Sequence, residues 1–189
     1  MFRRRFFRPG GKGLGPMPHP MLQRANELMA INDFADAALA YEELAQAAKA
    51  RMGPAAPHLY LQAGRARILA GQVPVGIIHI KQALSLFVER GEWEKFHRNR
   101  RRAVAELYRL GLGEEANKLS SFSSDKIPAG MEETEPVSFG VTGRVERRKT
   151  ILPSKCQGCG APLRSDEVEW VDEVSAECPY CGSIARSLR

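Results

Sequence analysis

The stretch Asn32-Asp33-Phe34-Ala35-Asp36-Ala37-Ala38-Leu39-Ala40-Tyr41 decides how the chain is read. Around it, Leu28, Met29, Phe34, Ala37, Ala38, Tyr41, Leu44 and Ala48 recur at spacings of three and four, an apolar helical stripe broken near Asn32. Two helices joined by a turn follow from that pattern. From Met21 to about Leu119 the sequence keeps this Ala- and Leu-rich character.

The same arrangement returns along the chain. A small residue in a first helix occurs at Ala25 and Gly64, with Val104 in the third place. A turn residue follows at Asn32, Gly71 and Gly111, and a small residue in a second helix at Ala37, Gly76 and Ala116. All three series step by 39 and then 40 residues. This resembles the tetratricopeptide repeat (TPR) family, in which small residues let the two helices of a hairpin cross closely and a larger residue wedges the next hairpin. Phe34, Ala37 and Tyr41 carry the likeness in the first repeat; Gly64, Gly71, Ala83 and the run Gly76-Ile77-Ile78-His79-Ile80 carry it in the second. The third departs from it, since Gly113 replaces the expected aromatic. The period also exceeds the family's roughly 34 residues, and the surplus falls at residues 52–57 and 89–92.

The resemblance implies an antiparallel helical-hairpin array over residues 20–120, whose neighbouring hairpins supply one another's core. Its concave side, lined by first helices, is expected to display Leu22, Asn26, Met29, His58, Leu61, Arg65, Ile68, Arg98, Arg101, Arg102 and Tyr108. An asparagine with several arginines is similar to the groove in which some TPR proteins hold a peptide carboxylate, although Leu22 stands where that clamp offers a cation. Arginine suits the task because its planar fork matches a carboxylate. Asn26, Arg65, Arg98, Arg101 and Arg102 are therefore the candidate partner-binding residues, against the plainer reading of residues 97–102 as a solvated helix face. His79 and His97 lie on predicted helices beside no nucleophile motif and are given no role.

The four cysteines carry the second signal: Cys156-Gln-Gly-Cys159-Gly160 and Cys178-Pro-Tyr-Cys181-Gly182. Two CxxC pairs at this separation have zinc-site spacing. The glycine after each pair permits the tight turn that aims backbone N–H groups at the sulfurs. Between them, residues 168–178 alternate as strand, Asp-Glu turn and strand. The segment resembles a zinc ribbon with Cys156, Cys159, Cys178 and Cys181 as ligands. Four thiolates close the coordination shell of one Zn²⁺ and leave no place for a catalytic water, so the metal is expected to be structural. Iron of the rubredoxin type and disulfides are the rival readings. Cys178-Pro179-Tyr180-Cys181 also matches the glutaredoxin motif, but too few residues follow for that fold.

Composition bounds the rest. The chain has 189 residues, 43% apolar and 26% charged, enough for a real core, with a formal charge of +6. Residues 1–26 hold Arg3, Arg4, Arg5, Arg8, Lys12 and Arg24 against no acid, so the excess belongs to an N-terminal arm. That arm, residues 1–19, is Gly- and Pro-rich and expected to be disordered. The arginines resemble a twin-arginine export signal, but no apolar stretch follows them. No segment approaches the roughly 20 apolar residues of a membrane span. Residues 121–150 read as a linker, with Arg144, Arg147, Arg148 and Lys149 as charge protecting a strand edge, or as a phosphate contact. Asp166, Glu167, Glu169, Asp172, Glu173 and Glu177 make the ribbon (residues 151–189) acidic, which disfavours phosphate and favours protein contact.

Together these readings give a mainly α chain ending in a small β zinc ribbon. The expected function is that of a cytoplasmic, non-enzymatic adaptor for a protein or acidic peptide. The alternative is a nucleic-acid-associated regulator using the basic arm and residues 98–102.

Overall fold

The structure, a computed structural model, describes residues 20–122, 151–165, 168–178 and 180–187. The basic arm, residues 123–150 with their Arg/Lys cluster, and Asp166 and Glu167 lie outside the described residues. The chain is mainly helical. The helices are α1 (Pro20–Ala30), α2 (Phe34–Ala50), α3 (Ala56–Leu69), α4 (Val73–Glu89), α5 (Trp93–Arg109) and α6 (Gly113–Ser120). Each packs against the next, as their short connections require. Strands β1 (Glu169–Trp170), β2 (Ser175–Glu177) and β3 (Ile184–Arg186) form a small antiparallel sheet in that order. Trp170 pairs with Ala176, and Ala176 with Ala185.

The five helix-to-helix turns share one backbone solution. Asn32, Met52, Gly71, Gly91 and Gly111 all have positive φ, between 53° and 80°. In each case the next N–H bonds to the carbonyl five residues earlier, as in Asp33 to Leu28 and Gln72 to Arg67. This is the left-handed closure that satisfies a helix's orphan carbonyls. The turn residues read from the sequence thus sit at the left-handed position, and Met52 and Gly91 add two more.

The small-residue series marks close approach. A Cβ on Gly64 would lie 2.8 Å from the Gly76 carbonyl oxygen, and one on Gly76 2.5 Å from Ile68 Cγ1. Ala25, Ala37 and Ala116 are fully buried. A partly buried polar link also ties three helices: Arg67 donates to both oxygens of Glu42, each at 2.6 Å, and His79 Nε2 lies 2.8 Å from Glu42 Oε1. The Arg67 hydrogen bond holds the Glu42 carboxyl below the usual carboxylate range.

Two apolar clusters form the core. Ile68, Ile80, Leu84, Phe87, Phe96, Leu107, Ala116 and Leu119 join the end of α3 to α4, α5 and α6. Phe122 packs on this cluster, and Arg100 donates to its carbonyl at 3.1 Å, so the chain stays packed two residues beyond α6. The other cluster combines Leu22, Ala25, Tyr41, Leu59, Tyr60 and Ala63 with Leu152, Ala161, Leu163, Ala176, Ala185 and three of the cysteines. The cysteine-bearing segment therefore shares a core with the N-terminal helices.

Candidate metal centre

The two cysteine pairs adopt the same hydrogen-bonded knuckle. In the first, Cys156 N donates to Ala161 O at 2.8 Å and Gly160 N donates to Cys156 O at 2.8 Å. In the second, Cys178 N donates to Ser183 O at 2.8 Å and Gly182 N donates to Cys178 O at 2.9 Å. Gly160 and Gly182 close these loops at φ 73° and 72°, which explains the glycine after each pair. Gly158 N also points at Cys156 Sγ, 3.3 Å away.

The knuckles bring all four sulfurs within 4.8 Å of one another. Cys156 and Cys181 are 3.7 Å apart at Sγ, as are Cys159 and Cys178. A tetrahedral ion about 2.3 Å from each sulfur spaces its ligands about 3.8 Å apart, whereas a disulfide needs about 2.0 Å. The quartet fits a metal ion and is not cross-linked. Hydrogen bonds from Cys159, Cys178 and Cys181 draw Cys156 far below the ordinary thiol range. The hydrogen bond with Cys156 pushes Cys159 and Cys178 up. A central divalent cation would favour the thiolate at all four. Ser183 was not anticipated from sequence, yet its hydroxyl lies 3.1 Å from Cys156 Sγ and 3.0 Å from Cys181 Sγ.

The centre is seated on the odd-numbered helices. From α1, Asn26 Nδ2 donates to Cys159 O at 3.2 Å, while the buried Tyr41 hydroxyl donates to Asn26 Oδ1 at 2.6 Å. From α3, the His58 ring abuts Gly182 so closely that any Cβ there would overlap it. Burial, then the nearby cations Lys95 and Arg98, push the His58 pKa down to about 4. His58 is thus neutral near pH 7, and its 3.7 Å approach to Glu177 is not an ion pair. From α5, Arg98 donates to the buried Glu177 carboxylate, next to Cys178.

These contacts place the sequence-predicted residues. Asn26 and Arg98 engage the chain's own C-terminal segment. Arg65 pairs with Glu106 at 2.7 Å, and Arg101 and Arg102 are exposed on α5. The acidic character assigned to residues 166–177 is not all outward, since Glu177 turns into the helices. Strand β3 also escaped the sequence reading; the alternation Ile184 exposed, Ala185 buried, Arg186 exposed was the available signal. No helix among the described residues is long and apolar enough to cross a membrane.

No protein-family model matches this chain, and no curated protein or solved structure shows significant similarity to it.

Proposed function

We propose that the chain is a non-enzymatic protein-binding scaffold: a TPR-like helical array whose odd-helix face grips peptide, and on which Asn26, His58 and Arg98 seat a zinc ribbon folded around one structural Zn²⁺. The observation that carries the reading is how this face already treats the chain's own C-terminal segment. Asn26 takes a main-chain carbonyl and Arg98 takes a carboxylate, the two groups that any acidic peptide offers. The 39-to-40-residue spacing of the left-handed turn residues Asn32, Gly71 and Gly111 supports the repeat assignment. The all-sulfur quartet and its 3.7 Å spacings support zinc in a closed site, with no position for a reacting water. Four unbridged thiols suit the reducing cytoplasm.

Elemental analysis of the purified full chain tests the metal: one zinc per chain is expected, and iron or no metal overturns that part. A photo-crosslinking residue at Arg101 on α5, with Leu39 on α2 as control, tests the function in cells. Both positions are exposed. A protein captured from position 101 and not from position 39 supports the scaffold; capture from neither removes it.

A further inference from the structure

The sulfur quartet has two unlike sides. Cys159 and Cys178, 3.7 Å apart at Sγ, are both fully buried. Cys156 and Cys181, also 3.7 Å apart, form the other side, and Cys181 is partly exposed. The polar neighbours lie on this second side. The Ser183 hydroxyl is 3.1 Å from Cys156 Sγ and 3.0 Å from Cys181 Sγ, and Gly158 N points at Cys156 Sγ. Gly158 also keeps the side open. It is exposed, and a Cβ on it would stand 3.5 Å from Cys181 Sγ and 2.6 Å from Ser183 Oγ. A small polar molecule therefore has a path to the Cys181 sulfur and none to the sealed pair.

We propose that the Cys156–Cys181 side is a peroxide-sensitive latch that releases the ribbon from the helices. The inference rests on the metal reading of the quartet and adds a regulation to it. Among thiolates, the exposed one held in polar surroundings is oxidised first. The Cys181 sulfur attacks hydrogen peroxide, the O–O bond breaks, and a sulfenic acid and hydroxide result. Cys156 Sγ, 3.7 Å away, then attacks that sulfur. The S–O bond breaks, a second hydroxide leaves, and a Cys156–Cys181 disulfide remains. Two thiolates have passed two electrons to one peroxide, and the ion has lost two of its four ligands. The ribbon draws much of its folding free energy from that ion. Its Leu152, Ala161 and Ala176 share a core with Leu22 of α1 and Leu59 of α3. Oxidation thus uncovers the α1 and α3 surface beneath the ribbon, and a dithiol with zinc restores the cover.

The test is titration of the zinc-loaded full chain with limiting hydrogen peroxide, released zinc being read by a chromophoric chelator and remaining thiols capped with a maleimide. Zinc is expected to leave in step with the loss of two thiols for each ion. Trypsin cuts after Lys155 and Arg164, which puts Cys156 and Cys159 on one peptide and Cys178 and Cys181 on another. Mass spectrometry should find these peptides joined, with maleimide on Cys159 and Cys178. Hydrogen exchange should speed up in α1 and the start of α3, stay slow in α5, and revert on addition of dithiothreitol and zinc. Gly158→Ala keeps all four ligands but narrows the approach to Cys181, so it should slow zinc release several-fold at unchanged zinc content. A disulfide within one knuckle, between Cys159 and Cys178, or between two chains overturns the latch. So does an oxidised chain whose α1 still exchanges slowly, or a Gly158→Ala variant that releases zinc at the parental rate. A zinc-loaded chain that keeps its metal under peroxide overturns the latch and leaves the metal reading standing; a chain that binds no zinc overturns both.

Discussion

Asn26 on α1 holds the main-chain carbonyl of Cys159, and Tyr41 on α2 holds Asn26 in turn. The Tyr41 hydroxyl donates to Oδ1, which leaves the amide Nδ2 to face the knuckle. Asn26→Ala leaves a buried phenol and a knuckle carbonyl without these partners, a loss of about 1–3 kcal/mol. Groups that position metal ligands also tune affinity, so zinc binding should weaken about tenfold. Competition against a chromophoric chelator measures this; unchanged affinity would mean that the knuckle holds its shape unaided.

Gly182 and Gly71 separate two effects of the same substitution. Both have positive φ, 72° and 80°, where a side chain costs about 1–2 kcal/mol. A Cβ at Gly71 meets nothing within 4 Å, whereas one at Gly182 runs into His58. Gly71→Ala should therefore lose only the backbone cost in urea denaturation, and Gly182→Ala at least twice as much. Adding His58→Ala to Gly182→Ala should show favourable coupling, because it makes room for the methyl group.

The sequence disclosed what depends on spacing and hid what depends on docking. Turn glycines, small crossing residues and the CxxC pairs are local, and their periods survive in one dimension. That Asn26, His58 and Arg98 would converge on the ribbon had no comparable signal, because they come from three helices and meet Cys159, Gly182 and Glu177 far along the chain. The residue types of Asn26 and Arg98 suggested a peptide-binding face. What they could not reveal is that part of this face holds the chain's own C-terminal segment. Glu177 looked like one acid among six, and nothing in its sequence context signals that it is buried.

His58 makes stability depend on pH in a defined direction. Its folded pKa is about 4, below the ordinary 6.5, so the unfolded chain takes up a proton that the folded one refuses. The stability is fully present above pH 6.5 and falls as the pH drops towards 4, by about 3 kcal/mol over the whole window. Acid also protonates the zinc thiolates, so the comparison must be differential. His58→Gln should lose less stability than the parent protein between pH 6.5 and 4 in urea titrations, with similar losses outside that window. Parallel curves would show that His58 does not titrate with folding.

Removing the metal should loosen the helices unequally. The ribbon's Leu152, Ala161, Leu163 and Ala176 pack in one cluster with Leu22, Ala25, Tyr41 and Leu59, while the cluster of Phe87, Phe96, Leu107 and Leu119 contains none of the described ribbon residues. A segment this small draws much of its folding free energy from its ion. Chelation, or Cys156→Ser with Cys181→Ser, should thus unfold residues 151–187 and strip cover from α1, α2 and the start of α3. Hydrogen exchange should then accelerate across residues 20–63 and stay slow in α5, whose Phe96 and Leu107 belong to the second cluster. Total helical ellipticity should fall only in part, since the second cluster remains closed. Uniform acceleration through all six helices would mean one cooperative unit centred on the metal; no change in α1 and α2 would mean that the ribbon contributes nothing to their stability.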